Sequence, residues 1–113
     1  MINWSTLTRP EQIQEIIEES KQKPVIIFKH STSCNISATA KGRLERQWDD
    51  AKLENVTPYY LDLLSYRPIS QQVASTFGVE HESPQLLLIQ DGKCQYDASH
   101  LGIRLDEVKK RVA

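Results

Sequence analysis

The chain has 113 residues, enough for one domain with an apolar core and too few for two. Its 14 basic residues nearly balance its 15 acidic ones, so no general attraction to nucleic acid, acidic lipid or other polyanions is expected. The N-terminal sequence lacks a basic region followed by an apolar stretch, and no apolar run approaches the length of a membrane span. We therefore expect one soluble, cytoplasmic domain over residues 1–113, with no nucleic-acid or membrane partner.

The first part of the chain alternates helical and strand patterns. Thr8 and Glu11 form a T-x-x-E capping box ahead of apolar residues at helical spacing, which predicts a helix over residues 9–20. The run "PVIIF" at 24–28 is β-branched and aromatic and predicts a strand buried on both faces. Helical spacing resumes at Cys34, so a long amphipathic helix is predicted to begin at or next to this cysteine.

A second strand and a third helix follow. The segment "TPYYLDL" at 57–63 has strand character, and the intervening helix favours parallel pairing with the first strand. Pro68 suits the first turn of a helix, and Gly78 suits its end. This half of the chain therefore predicts parallel strands joined by helical crossovers.

The last part of the chain predicts a hairpin and a final helix. Residues 85–90 and 93–98 are strand-like and flank Asp91-Gly92, a strong signal for a tight hairpin turn. A helix over 105–112 closes the chain. The order αβαβαββα predicts an α/β fold: a single thioredoxin-like domain whose central mixed sheet of about four strands is flanked by helices.

Cys34 is one of two cysteines, too few for a disulfide scaffold and not spaced as a metal-ligand pair, so no metal site is predicted. A thiol at the start of a helix meets unpaired N–H groups and the positive end of the helix dipole, which favour the thiolate. Thr32 and Ser33 can donate hydroxyl hydrogen bonds to the sulfur or cap the helix, and for Ser33 we favour capping. The alternative is a small buried thiol without reactivity. We predict that Cys34 is a nucleophile.

The position three residues after Cys34 is Ser37, where a dithiol redox enzyme carries a second cysteine. A serine can only hydrogen-bond, so such an enzyme stops at a mixed disulfide and waits for an outside thiol. Cys94 lies beside the hairpin turn, roughly 20 Å along the strand from Ser83-Pro84. A disulfide needs Cα atoms within about 7 Å, so we favour a structural or incidental role for Cys94.

Ser83-Pro84 stands at the start of the third strand. X-Pro bonds alone have an appreciable cis population, and a cis proline here would expose the Ser83 backbone for pairing with a peptide-like ligand. An ordinary trans proline is the alternative. His81 and His100 fall at the same end and, with Thr32, are candidate ligand contacts, although each histidine is more often a hydrogen-bonded structural residue. Electrostatic support of the thiolate is one interpretation of Lys29, but we favour a solvated side chain at a strand end.

Three blocks, "FKHSTSCNIS", "VEHESPQ" and "GKCQYDASHLGI", together resemble the monothiol bacilliredoxin family of thioredoxin-fold proteins. The resemblance covers nearly the whole chain. It implies that Cys34 removes bacillithiol from S-thiolated client proteins by taking the thiol onto itself as a mixed disulfide, and that Ser83-Pro84 is the family's cis proline. Bacillithiol or a similar low-molecular-weight thiol is then the co-substrate, and no permanently bound cofactor is expected.

The sequence departs from the family at Asn35, because the usual T-C-P-I-S motif is S-C-N-I-S here. The Asn35 N–H is one more donor near the thiolate. One alternative function is glutaredoxin-like use of another low-molecular-weight thiol. Two others are not catalytic: an iron–sulfur carrier that binds a cluster between two subunits, and a redox-inert thioredoxin-fold adaptor.

Overall fold

A computed structural model describes residues 2–112, which form one mixed five-stranded sheet with helices on both faces. The elements in chain order are β1 (Ser5–Thr6), α1 (Glu11–Ser20), β2 (Val25–His30), α2 (Asn35–Gln47), β3 (Thr57–Asp62), α3 (Arg67–Phe77), β4 (Gln85–Gln90), β5 (Lys93–Ser99), a 3₁₀ helix (His100–Gly102) and α4 (Leu105–Val112). The predicted fold class is confirmed, and the two-residue β1 adds a strand to the about four expected. No helix within 2–112 is long and apolar enough to cross a membrane.

Strand β2 lies at the centre of the sheet, whose strand order is β1-β3-β2-β4-β5. It pairs parallel with β3 and antiparallel with β4, in a register that sets Lys29 opposite Gln85. All six of its residues are buried. The carboxyl ends of β2 and β3 and the amino end of β4 therefore meet at one edge, called here the β2 carboxyl edge.

The alternation of side chains along β2 divides the core in two. Ile26 and Phe28 face one cluster, to which α2 and α4 contribute, whereas Val25 and Ile27 face the other, to which α1 and α3 contribute. Each cluster consists almost entirely of apolar side chains with little or no exposed surface. This two-layer packing fixes where α2 and α3 start relative to the β2 carboxyl edge.

The capping box predicted for α1 is wrong. The helix begins at Glu11 with Pro10 at the N-cap position, and no side chain caps it. Gln12 reaches back instead: its Oε1 accepts the N–H groups of Thr8 and Arg9 at 2.8 and 2.9 Å. Because proline offers no side-chain acceptor, a glutamine from the first turn satisfies the amides ahead of the helix.

Gly78 ends α3 in the left-handed region, with φ of 66°, and its N–H donates to the Ala74 carbonyl. We expect Gly78→Ala to lower the free energy of unfolding by about 1–2 kcal/mol, because an L-residue is strained at this φ. Gly102→Ala is the matched control, since Gly102 has no left-handed φ and a Cβ at either glycine meets no atom within 4 Å. Urea unfolding measures both variants, and equal losses would contradict the assignment of the cost to backbone conformation.

Candidate active site

Cys34 is half-buried and occupies the N-cap of the 13-residue helix α2. Its backbone is extended, with φ of −111° and ψ of 121°, and its side chain makes no capping hydrogen bond. Its N–H donates to the Ser31 carbonyl at 3.2 Å, and its carbonyl accepts the Ala38 N–H at 3.0 Å. The thiol therefore lies at the positive end of α2, beside first-turn amides that have no intrahelical acceptor.

Ser33 does not cap α2, contrary to the prediction, because Cys34 itself is the N-cap residue. The Ser33 hydroxyl lies 3.3 Å from the Ser31 hydroxyl instead. Thr32, Ser33 and Asn35 are all exposed around the cysteine, and Asn35 is the first residue of the helix. These side chains form the solvent-facing surroundings of the thiol.

Ser37 has no exposed surface. Its Oγ accepts the Ser31 N–H at 3.0 Å and lies 2.6 Å from His30 Nδ1. These two hydrogen bonds join the first turn of α2 to the end of β2 across the loop that carries Cys34. Ser37, at the position where a dithiol enzyme has its second cysteine, therefore stabilises the loop through its hydrogen bonds.

His30 is a buried, hydrogen-bonded histidine on the α2 side of β2. Its ring centroid lies 5.9 Å from that of Phe28 and 5.6 Å from that of Tyr60. Burial lowers the pKa of His30, and the nearby Lys41 ammonium lowers it further. The ring is therefore neutral at neutral pH and contributes to packing and to the hydrogen bond with Ser37.

The Ser83–Pro84 peptide bond is cis. The Pro84 carbonyl accepts the His100 N–H at 2.9 Å, which joins the 3₁₀ helix to the start of β4. His100 has a φ of 54°, and its exposed ring places Nε2 3.5 Å from Glu82 Oε2. The predicted residues Ser83, Pro84 and His100 thus meet at the β2 carboxyl edge.

Lys29 is completely buried, so the interpretation as a solvated lysine is wrong. Its Nζ lies 3.2 Å from the Ser70 carbonyl oxygen and 3.2 Å from His81 Nδ1. Burial lowers the pKa of Lys29 to about 8. The strand continues two residues beyond "PVIIF", so Lys29 occupies an interior position on the α3 side of the sheet. Period-2 alternation extended past Phe28 was the signal that could have revealed this.

Cys94 lies at the opposite end of the sheet from Cys34, as expected. It pairs with Ile89, which in turn faces Val25 at the amino end of β2. Its Sγ donates to the Tyr96 carbonyl at 3.3 Å, and burial raises the pKa of the Cys94 thiol. This cysteine is a packed structural residue remote from the β2 carboxyl edge.

Three large apolar side chains are exposed within residues 2–112: Ile36 (46%), Leu64 (37%) and Leu101 (66%). Ile36 is in the first turn of α2, Leu64 follows β3, and Leu101 is in the 3₁₀ helix after β5. All three elements reach the β2 carboxyl edge. Exposed apolar surface therefore surrounds the end of the sheet that carries Cys34.

A thiol at the N-cap of the helix that follows a central strand, beside a mixed sheet with a terminal hairpin, defines a thioredoxin-fold thiol-disulfide oxidoreductase. Residues 5–108 match the family model described as "Monothiol bacilliredoxin BrxC". The chain belongs to this monothiol bacilliredoxin family. Membership implies a thiol partner for the reaction and protein thiols among its clients.

Solved structures agree with this class. The chain is 28% identical to a thioredoxin-fold protein assigned as an oxidoreductase, with a TM-score of 0.79 over 95% of this chain and 91% of the other. Thioredoxin from Malassezia sympodialis (Mala s 13) gives a TM-score of 0.79 at 15% identity, covering 99% and 92%. Thioredoxin O2 from Arabidopsis thaliana gives 0.73 at 13%, covering 96% and 93%. The two thioredoxins show the shared fold.

The buried Lys29 makes folding stability depend on pH. Its pKa is about 8 in the folded state, below the ordinary lysine value of 10.5, so the unfolded chain binds more protons between these two values. Folding stability contributed by this group therefore rises as pH increases from about 8 to 10.5. We expect the difference in free energy of unfolding, wild type minus Lys29→Met, to increase between pH 7 and pH 9.5. Urea unfolding at both pH values measures it, and a constant difference would contradict the burial of the ammonium group.

The two thiols should differ in reactivity. At pH 7.5 we expect iodoacetamide to modify Cys34 about tenfold faster than Cys94, because a raised pKa reduces the thiolate fraction of Cys94 and packing shields it. The ratio should narrow as the pH rises toward the pKa of Cys94. Peptide mass spectrometry of timed samples gives both rates, with urea-unfolded protein as the control for intrinsic reactivity. Equal rates in the folded protein would refute the contrast.

Proposed function

We propose that the protein removes bacillithiol from S-thiolated client proteins through a mixed disulfide on Cys34. The observation that carries the proposal is the pairing of an N-cap thiol with a buried serine three residues later, in a chain of the monothiol bacilliredoxin family. Ser37 cannot act as a resolving group, and its hydroxyl is already bonded to Ser31 and His30. The reaction on this chain therefore ends at the mixed disulfide until an outside thiol arrives.

The proposed exchange has two steps that balance in atoms and electrons. The Cys34 thiolate attacks the bacillithiol sulfur of the client's mixed disulfide, and the client cysteine leaves as a thiolate that takes a proton from water. A second low-molecular-weight thiol, as its thiolate, then attacks the same bacillithiol sulfur on Cys34. Bacillithiol and the second thiol leave together as a low-molecular-weight disulfide, and the Cys34 thiolate is restored.

Two features support this chemistry at Cys34. The unpaired amides at the start of α2 stabilise negative charge on the sulfur, both when it attacks and when it leaves. Asn35 is the first residue of the helix, so a backbone N–H is present at a position where many helices carry proline. A thiolate is both the better nucleophile and the better leaving group, which suits a reaction that forms and breaks the same bond.

The exposed apolar residues Ile36, Leu64 and Leu101 support protein clients. Protein interfaces are built around apolar and aromatic contacts, and isolated exposed leucines are common, but here all three flank one edge. We propose that a client lays the peptide around its modified cysteine over these side chains. We also propose the reducing cytoplasm as the compartment, since both cysteines are free thiols.

A single-cysteine client carrying bacillithiol tests the proposal. Wild-type protein should lower client thiolation and gain the mass of one bacillithiol on Cys34, whereas Cys34→Ala should do neither. Intact-protein mass spectrometry without reductant measures both species. Mass on Cys34 reports the intermediate directly, so the test does not depend on a recycling reductant.

Cys94→Ala is the matched control, because it removes the other thiol at the far end of the sheet. It should retain wild-type activity within about twofold, as expected of a substitution remote from the site. Full activity in Cys34→Ala would refute the proposal. An internal Cys34–Cys94 disulfide in the wild type, in place of the bacillithiol adduct that Cys94→Ala retains, would instead assign Cys94 the resolving role.

A further inference from the structure

Lys29 is a buried cation that has no carboxylate partner in the part of the chain that the structure describes. Its ammonium group contacts a neutral carbonyl and an imidazole, and it forms no salt bridge with any acidic side chain of residues 2–112. Burying a charge without a counter-charge is costly, and native structures usually pair such groups. The arrangement leaves a positive charge without a counter-charge 3.2 Å from His81 Nδ1.

A small cavity lies next to this cation. It has a volume of about 60 Å³ and is lined by Leu63, Arg67, Ser70, Gln71 and His81. A cavity needs only about 10–15 Å³ to hold one water, so this space admits a group the size of a carboxylate. Arg67 is exposed at the start of α3, and the buried Lys29 ammonium contacts two of the lining residues, Ser70 and His81.

The hydrogen bonds of His81, which lines the cavity, leave a second donor on its ring. The Lys29 ammonium can only donate, so His81 Nδ1 accepts and the neutral ring carries its proton on Nε2. Burial lowers the pKa of His81, and the charges of Lys29 and Arg67 lower it further. Glu82 is the nearby acidic group, and its carboxylate contacts His100 instead. The imidazole thus offers a neutral N–H among groups of positive charge.

The cavity belongs to the same edge of the sheet as Cys34. Lys29 is five residues before the cysteine and faces α3, whereas Cys34 begins α2 on the other face of the sheet. The Leu63 N–H donates to the His30 carbonyl at 3.0 Å, which joins the loop before α3 to the end of β2. Open α/β sheets bind ligands beyond the carboxyl ends of their strands. A ligand attached to Cys34 can therefore extend over this edge toward Arg67.

We propose that this cavity, formed by Arg67, Ser70 and His81 over Lys29, is a subsite for a carboxylate of the low-molecular-weight thiol that Cys34 receives. The proposal rests on the function proposed above and deepens it by naming how the thiol is selected. Bacillithiol carries carboxylate groups remote from its sulfur. The Arg67 guanidinium and the His81 N–H would donate to the carboxylate, and the Lys29 ammonium would offset its charge.

Kinetics with two adducts of one client test selectivity. One adduct carries bacillithiol, and the other carries 2-mercaptoethanol, which is neutral. Arg67→Gln should raise KM for the bacillithiol adduct about tenfold, with kcat little changed, because a charged hydrogen bond made before and during reaction is lost. KM for the 2-mercaptoethanol adduct should stay the same. Lys93→Gln is the control for loss of one positive charge at the far end of the sheet, and it should change neither KM.

A binding measurement separates failure of the subsite from failure of the reaction. S-methylated bacillithiol cannot exchange disulfides, so it is titrated into the Cys34→Ala protein while NMR follows the His81 ring. Saturable shifts in Cys34→Ala that are absent from the Cys34→Ala, Arg67→Gln double variant support the subsite even if no client is dethiolated. Absent shifts, or a KM rise in Arg67→Gln that is equal for both client adducts, overturn it. A wild type that dethiolates neither adduct counts against the reaction alone.

Discussion

The burial of β2 on both faces is the constraint on which the site depends. Six consecutive residues have almost no exposed surface, so each side chain must fit the α2 side or the α3 side of the sheet. His30 therefore packs toward α2 and Lys29 toward α3. Because both come just before the loop that carries Cys34, the alternation of one strand supplies the polar groups on the two sides of the reactive edge.

The hydrogen bonds of Ser37 explain how a monothiol site is maintained. Its hydroxyl contacts Ser31 and His30 from the first turn of α2, so the loop and the helix start are held as one unit. A buried hydroxyl that satisfies two buried groups is expensive to remove, because each partner would lose its hydrogen bond. Ser37 occupies the position where a dithiol enzyme has its second reactive cysteine, and in this chain that residue has a structural role. The second thiol must come from another molecule.

Long elements with strong patterns were predictable from the sequence, and short or context-dependent features were not. Helix α4 and strand β4 have their predicted bounds, because periodicity and the Asp91-Gly92 turn specify them locally. Strand β1 has two exposed residues and exists only through its pairing with β3, which no local pattern reports. The burial of Lys29 was open to prediction from the period-2 alternation of β2, but the contacts of its ammonium group depend on α3 and the loop after it and not on its own residue type.

The two polar clusters of β2 differ in a way that distinguishes structure from function. His30 and Ser37 form a neutral, closed pair between aromatic rings, and the pKa of His30 is lowered so that the ring stays uncharged. Lys29 is instead a cation held by neutral groups, beside a cavity that also contains a guanidinium. A group buried only for stability would be expected to have a satisfied and neutral environment. The excess positive charge next to an accessible cavity is a cost to folding that a bound anion would offset, and this contrast favours the proposed ligand recognition on the α3 side of the edge.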